Sequence, residues 1–262
     1  MRKTILLALG VMVLASSAAA QLVAPGGTIP AVAGTVSGAN GTLWRSNVSI
    51  LNLSSAETSV VLVLYPEIIN NEPVFDIEQS DPISIGGNGQ LSLANVATSL
   101  FGKRGENGAL SIFSTNGAPL LIASKTYTPG PEPQGGTFGL NVYGVLVTET
   151  QEAWIADVQH DGLFRTNVGI FTPLEPLEGQ ALTFTIEIYD EQGTEVASGS
   201  LMFNDAGLKQ KNLTFFGVDD PLLGGWVKIR CNDPSAIWYG YSTVIDQTTG
   251  DSVYRPAVPQ QY

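Results

Sequence analysis

The sequence contains only one cysteine, Cys231, and one histidine, His160. A lone cysteine excludes an intramolecular disulfide, and one cysteine with one distant histidine is a poor set of zinc ligands. A hydrolytic triad would need His160 with Asp157 or Asp161 and a serine brought near by folding, but the chain has no Gly-x-Ser-x-Gly motif. We therefore predict no catalytic residue and no metal ligand, and we interpret Cys231 as a small buried hydrophobe.

Basic residues are also scarce, because 12 Lys and Arg stand against 24 Asp and Glu, a formal net charge of −12. Loss of Arg2 and Lys3 with a leader peptide leaves 10 basic residues and a formal charge of −14. A field of this sign repels polyanions. We therefore expect neither nucleic acid nor an anionic membrane as a partner.

Long apolar runs are missing after residue 20. Before it, Arg2 and Lys3 precede an apolar stretch, and Ala18 and Ala20 occupy the small-residue positions of a cleavage site. This pattern predicts a secretory signal peptide over residues 1–20, cut before Gln21. Because the stretch is shorter than the ~20 residues of a membrane span, we expect a mature chain without a span that is secreted, periplasmic or at the cell surface.

An internal repeat is the strongest positive signal in the chain. The segment LWRSNVSI at residues 43–50 recurs as LFRTNVGI at residues 163–170. Both copies alternate at period 2, which is typical of a β-strand. Four further segments correspond in the same order with slightly drifting offsets, as small loop insertions would produce.

The repeat and the turn signals together predict an all-β protein. Short strands broken by Gly, Pro, Asn-Gly and Asp-Gly indicate two tandem antiparallel β-sandwich (Ig-like) domains, residues 21–150 and 151–262, after the signal peptide. One continuous barrel or large sandwich built from both halves is the alternative.

Four polar residues hold matching positions in the two signature strands: Arg45, Asn47, Arg165 and Asn167. Arginine is rare in this chain, so its recurrence in one register marks the repeat. We interpret both guanidinium groups as structural, pairing with a carboxylate or capping carbonyls at the sandwich edge.

Aromatic residues suggest a carbohydrate-binding surface near the C-terminus. Tyr239 and Tyr241 would share one side of a strand, and Trp238 would lie on the other. Flat rings on a sheet can stack on sugars, so we name these three residues as candidate ligand-binding residues. Aromatic rings on strands are, however, more often core residues or cross-strand pairs.

Acidic residues leave two further alternatives open. The 24 acids leave room for a pair of glycosidase carboxylates ~5–10 Å apart. Oxygens of Asp219, Asp220, Asp246 and Asp251 could bind calcium, but no Asp-x-Asp-x-Asp-Gly loop supports such a site. A hairpin turn at Thr249 and Gly250 is the simpler interpretation, and we predict no cofactor.

The two ends of the mature chain share a Pro-Ala-Val triplet, at residues 30–32 and 256–258. One interpretation is that the C-terminal strand closes the second unit. The other is that it begins a missing third unit and pairs with a strand edge of another molecule, which would link subunits head to tail.

The segments at residues 29–33, 38–48 and 164–168 resemble those of exported bacterial proteins built of tandem β-sandwich units. The resemblance implies the fold and the export, and it carries no catalytic residues. We expect an exported, non-enzymatic module for surface structure, adhesion or assembly, whose partner is a protein or glycan at the cell surface. A carbohydrate-binding module is the second hypothesis, and a secreted hydrolase is the third.

Overall fold

The computed structural model describes residues 23–38, 41–129, 136–177 and 180–260. The predicted signal peptide lies outside the described residues. The protein is an all-β sandwich fold, as predicted, with antiparallel pairing in every sheet. The described part of the chain contains no helix with the length and apolar character that crossing a membrane requires.

Among the described residues, the first half of the chain, which we call the first unit, contains twelve strands and one short helix. They are β1 (Val23–Ala24), β2 (Gly26–Ser37), β3 (Leu43–Asn52), β4 (Thr58–Pro66), β5 (Ile68–Ile69), β6 (Glu72–Pro73), β7 (Glu78–Gln79), β8 (Ile83–Ile85), β9 (Gln90–Leu93), α1 (Val96–Phe101), β10 (Glu106–Ser114), β11 (Leu120–Pro129) and β12 (Thr137–Tyr143).

The second half, which we call the second unit, contains ten strands and a 3₁₀ turn at Leu213–Phe216 within its described ranges. The strands are β13 (Thr148–Glu149), β14 (Glu152–His160), β15 (Phe164–Thr172), β16 (Leu182–Tyr189), β17 (Glu195–Phe203), β18 (Gly207–Asn212), β19 (Leu222–Cys231), β20 (Ile237–Asp246), β21 (Ser252–Pro256) and β22 (Val258–Pro259).

The second unit is a sandwich of two sheets. One has the order β13-β20-β15-β18, with β21 on β20, and the other has the order β17-β16-β19-β14-β22. In the first unit, β2 pairs with both β3 and β10, so the two layers join into one continuous ladder. Each unit packs its own apolar core between its layers.

The two units share their main strand pairings, although the β2–β3 pairing of the first unit has no counterpart between β14 and β15 among the described strands. In the first, β10 pairs with β2 and β4, and β11 pairs with β3 and β12. In the second, β19 pairs with β14 and β16, and β20 pairs with β15 and β21. In an immunoglobulin constant domain the first strand pairs with the second, and the last strand pairs with the one before it. In the second unit the first long strand, β14, pairs with β19, and the last long strand, β20, pairs with β15. These two strands have therefore changed places between the sheets.

The C-terminal strands close the second unit. β21 pairs with β20, and β22 pairs with β14 at Trp154 and Val258. The matching bridge in the first unit joins Thr28 to Val145. Residues 256–258 therefore correspond to the end of the first unit and not to residues 30–32. The interpretation of these residues as the start of a third unit was wrong, because a three-residue match says nothing about which strand it pairs with.

The two units pack through one outer face each. The signature strand β3 alternates buried and half-buried residues, as period 2 predicts, whereas β15 is buried on both sides from Thr166 onward. The reason is an apolar cluster between the units, in which Tyr65 and Ala109 of the first meet Phe171, Leu208 and Tyr241 of the second. The outer face of β2, β10 and β4 thus covers the outer face of β18, β15 and β20.

Two side chains cross further between the units. Ile68, on the short β5–β6 hairpin of the first unit, is 2% exposed and belongs to the core of the second. In return, Tyr254 of β21 packs against the core of the first unit. Lys209 Nζ also donates to Asn71 Oδ1 at 2.6 Å, and burial lowers the pKa of this ammonium. The units are therefore interlocked by both apolar and polar contacts.

Gly169 shows how the repeat was adapted to this packing. Its counterpart Ser49 lies opposite Ala123, whereas Gly169 lies opposite Tyr241, and a Cβ added at Gly169 would overlap the Tyr241 ring.

We expect Gly169→Ser to lower the free energy of unfolding by about 1–3 kcal/mol through overpacking. Urea unfolding measures this loss. The matched control is Ser49→Ala, which should lower the free energy of unfolding by less than about 0.5 kcal/mol. Equally small losses for Gly169→Ser and Ser49→Ala would contradict the packing of Gly169 against Tyr241.

Candidate functional site

A cavity of about 190 Å³ lies between the two units. The first unit contributes an apolar wall that includes Val32, Val36, Leu140 and Val142. The second unit contributes a mostly polar wall from β15, β20 and β21, which includes Arg165, Asn167, Thr243 and Ser252. The cavity exists because the outer face of β15 is covered by the first unit at one end, around Phe171, and stands away from it near Arg165.

The two signature arginines have the same register but different surroundings. Arg45 lies opposite Tyr127, and its guanidinium carbon is 5.3 Å from the centre of that ring. Arg165 lies opposite Ile245 and lines the cavity. Among the described residues neither guanidinium forms an ion pair with a carboxylate. The carboxylate partners predicted for Arg45 and Arg165 are therefore not found among the described residues.

The two signature asparagines also diverge. Asn47 Oδ1 accepts a hydrogen bond from the Asn95 backbone N–H at 2.9 Å, which holds the turn before α1. Asn167 is 9% exposed, and its Nδ2 donates to Thr243 Oγ1 over 3.5 Å, a long contact. The Nδ2 of Asn47 makes a similar long contact with the Tyr127 hydroxyl at 3.5 Å, so the two residues differ at Oδ1. Asn47 Oδ1 is used by the turn before α1, whereas the Asn167 amide keeps hydrogen-bonding capacity toward the cavity.

The aromatic residues named as sugar ligands do not form an exposed surface. Trp238 is 2% exposed in the core of the second unit, and Tyr241 is fully buried between the units. Tyr239 is half-buried and packs against the same inter-unit cluster. Burial raises the pKa of the Tyr241 phenol far above its usual value, and the charge of Glu67 adds to this. The prediction was wrong because alternation along β20 cannot reveal that both of its sides are covered.

His160 and its neighbouring acids do not form a triad. His160 Nε2 is 3.1 Å from Thr214 Oγ1. Asp161 Oδ1 accepts from the backbone N–H groups of Leu163 and Phe164 in the turn before β15, and Asp157 pairs with Arg255. Each neighbouring carboxylate thus has a structural partner other than the imidazole.

The acids considered for calcium are equally placed in turns or on the surface. Asp246 Oδ1 accepts from the backbone N–H groups of Thr248 and Thr249, and these bonds lower the pKa of its carboxyl. Gly250 closes this β20–β21 hairpin with positive φ. Asp219 and Asp220 are both exposed. No cluster of three His, Cys, Asp or Glu side chains suited to a metal occurs among the described residues.

A surface that sequence reasoning missed lies on the sheet of the second unit that faces away from the first. We call it the aromatic–charged face. It consists of half-buried side chains on β14, β16 and β19: Glu152, Trp154, Glu187, Tyr189, Trp226, Lys228 and Arg230. Period 2 along β19 already separates Trp226, Lys228 and Arg230 from the buried Val227, Ile229 and Cys231, so the signal was present in the sequence.

Cys231 itself is buried, and this burial raises the pKa of its thiol.

Ion pairs and ring stacking order this face. Arg230 Nε donates to Glu152 Oε1 at 2.7 Å, and Lys228 Nζ lies 3.6 Å from Glu152 and 3.7 Å from Glu187. The rings of Tyr189 and Trp226 stack at 4.0 Å with an interplanar angle of 5°. The two carboxylates share one lysine, so this pair is neutralised by cations.

The first unit uses the equivalent positions differently. There Val63 faces Ser111 and Tyr65 faces Ala109, where the second unit has Glu187 facing Lys228 and Tyr189 facing Trp226. Tyr65 and Ala109 belong to the buried inter-unit cluster, and the partly buried Val63 packs against it. The second unit therefore carries large aromatic and charged side chains where the first carries the residues that pack against a neighbouring unit.

Comparison with known proteins finds no matching family model and no matching curated protein. Among solved structures, a glycosyl hydrolase family 2 member from Bacteroides cellulosilyticus is similar at a TM-score of 0.17 and 9% identity, over 89% of this chain and 26% of that one. A beta-glucuronidase from Ruminococcus gnavus has a TM-score of 0.17 and 10% identity, over 89% of this chain and 34% of that one. The chain spans about a quarter to a third of these proteins, and likeness at this level carries no argument about function.

Proposed function

We propose that the protein is an exported, non-enzymatic module that works in adhesion or assembly at the cell surface or in the periplasm. It acts by binding a partner protein through the aromatic–charged face. The export follows from the signal peptide predicted over residues 1–20, and the acidic mature chain suits a soluble exported module.

The observation that carries this proposal is the composition of the aromatic–charged face. Trp, Tyr and Arg are the residue types that dominate binding energy at protein interfaces, and this face places Trp154, Trp226, Tyr189 and Arg230 on one sheet. Its ion pairs hold the long side chains in place before a partner arrives, so binding costs less side-chain entropy.

Carbohydrate binding is the second candidate function, and the same face supports it. Trp154 lies opposite Lys228, next to the stacked pair of Tyr189 and Trp226. Aromatic rings beside charged hydrogen-bonding groups are suited to sugar rings and their hydroxyls. This basis replaces the one that rested on Trp238, Tyr239 and Tyr241, which are covered.

A binding experiment with cell envelopes tests the proposal. Labelled protein of residues 21–262 is added to envelope preparations of the organism that makes it, untreated, protease-treated or periodate-treated. We expect saturable binding that protease removes and periodate leaves. Trp226→Ala and Trp154→Ala should each weaken binding by about 30-fold, which corresponds to a hot-spot loss of ~2 kcal/mol.

Lys125→Ser provides the control, because Lys125 is exposed on the first unit, away from this face. Circular dichroism checks that each variant is folded. Sensitivity to periodate alone would favour the carbohydrate-binding function. Absence of binding, or equal binding by wild type and both tryptophan variants, would refute the proposed role of this face.

Protein recovered from the envelope should begin at Gln21.

A further inference from the structure

We propose that the cavity between the two units binds a small organic carboxylate through Arg165. This site is separate from the aromatic–charged face, so an experiment that refutes the proposed function would leave this inference unaffected.

The first argument is the state of Arg165. Its guanidinium lines the cavity and has no hydrogen bond or ion pair among the described residues. An arginine presents five N–H donors in a planar fork that matches a carboxylate. Arg45, at the same position of the repeat, instead lies over the Tyr127 ring. The Nε of Arg45 is buried without a hydrogen-bond partner, but of the repeat pair only Arg165 lines the cavity between the units.

The second argument is the unused hydrogen-bonding capacity around Arg165. Ser252 is 9% exposed, and its Oγ has no partner among the described residues. Asn167 is equally buried and makes only the long contact with Thr243. Buried polar groups left without partners cost free energy. A ligand with oxygen atoms would satisfy the guanidinium, the hydroxyl and the amide together.

The third argument concerns size and polarity. The cavity has a volume of about 190 Å³, below the ~300 Å³ at which drug-sized pockets begin, so the part of the ligand inside it is small. Arg165 also lines a second cavity of about 640 Å³ with Trp44 and Phe138, which leaves room for a longer acid.

The facing wall of the first unit is mostly apolar, with Val32 and Leu140, and its polar residues are Glu67, Asn107 and Thr126. The apolar part favours an organic acid over a bare inorganic anion. Glu67 is the carboxylate of the cavity wall, and it accepts a hydrogen bond from Asn107 Nδ2 at 3.0 Å.

Thermal unfolding and calorimetric titration of the mature protein test this inference. The probes are sodium acetate, succinate and glucuronate, with acetamide, succinamide, glucose and inorganic phosphate as comparisons. A ligand that binds only the folded state raises Tm in proportion to its saturation. We expect at least one carboxylate, and neither amide nor glucose, to raise the Tm of the wild type.

Arg165→Gln should weaken that binding about tenfold or more, because hydrogen bonds to charged groups are the strong ones. Arg45→Gln is the matched control at the other copy of the signature and should bind within about twofold of the wild type. Circular dichroism and Tm without ligand show whether each variant is folded.

Three outcomes would overturn the inference. In the first, none of the three carboxylates binds. In the second, Arg165→Gln binds as well as the wild type. In the third, phosphate alone binds, which would assign the cavity to inorganic anions. If Arg165 serves only as a partner for Glu67, Arg165→Gln and Glu67→Gln will lower stability equally and non-additively, with no effect of any carboxylate.

Discussion

Trp238→Ala should lower the free energy of unfolding by about 3–5 kcal/mol, the range for removing a large buried aromatic side chain. Trp238 is 2% exposed and meets Phe184 edge to face, with ring centres 5.2 Å apart. Its indole N–H also donates to the backbone carbonyl of Thr150. The substitution would leave a cavity in the second core and a buried carbonyl without its donor.

Urea unfolding at neutral pH, followed by circular dichroism, measures this loss. Trp238→Phe is the first control, because it keeps most of the volume and removes only the indole N–H, so its cost should be clearly smaller. Leu121→Ala is the second, because Leu121 lies on the half-buried side of β11 in the first unit, next to Leu120, the buried counterpart of Trp238, so its loss should be smaller. A loss below about 1 kcal/mol for Trp238→Ala would show that the ring is not a core residue.

Phe171→Ala should have an effect of similar size, about 3–5 kcal/mol, although this ring lies between the two units. Phe171 is fully buried, and its ring centre is 5.1 Å from that of Tyr65 at an interplanar angle of 72°. Burial raises the pKa of the Tyr65 phenol, which is consistent with a closed interface. The residues joined here are 106 positions apart in sequence, so the loss reports on inter-unit packing.

A double-mutant cycle isolates the contact. Phe171→Ala, Tyr65→Ala and the double variant are unfolded in urea, and the coupling energy should be about 0.5–1.5 kcal/mol, as for other aromatic pairs. Leu51→Ala, on a half-buried position of β3, is a control that should show no coupling to Phe171→Ala. Strict additivity of Phe171→Ala and Tyr65→Ala would mean that the two rings do not meet.

Sequence patterns were most informative where one side of a strand faces a core. The alternation predicted for β3 agrees with the structure, where Ser46, Val48 and Ile50 are buried and the residues between them are half-buried, because a strand directs successive side chains to opposite faces. The hairpin at Thr249 and Gly250 was also readable, since a glycine with positive φ suits such a turn. The all-β sandwich follows from many such local signals taken together.

The same patterns failed where a second surface covers the strand. Trp238, Tyr239 and Tyr241 look like a candidate platform on β20, yet the core buries one side of that strand and the first unit covers the other. The triplet at residues 256–258 failed for a related reason, because pairing partners lie far away in sequence.

By itself, the sequence determined the strand-forming segments, their antiparallel turns and the duplicated signature, because these depend on side-chain periodicity and local backbone preference. Only the tertiary structure decided that Arg45 lies on an aromatic ring while Arg165 lines a cavity. It also decided that Val63 packs against the inter-unit cluster, whereas Glu187 pairs with Lys228. The physical reason is that two copies of one sheet packed face to face cannot have equal surroundings. One outer face of each unit is buried against the other unit, and a local pattern does not encode which face that is.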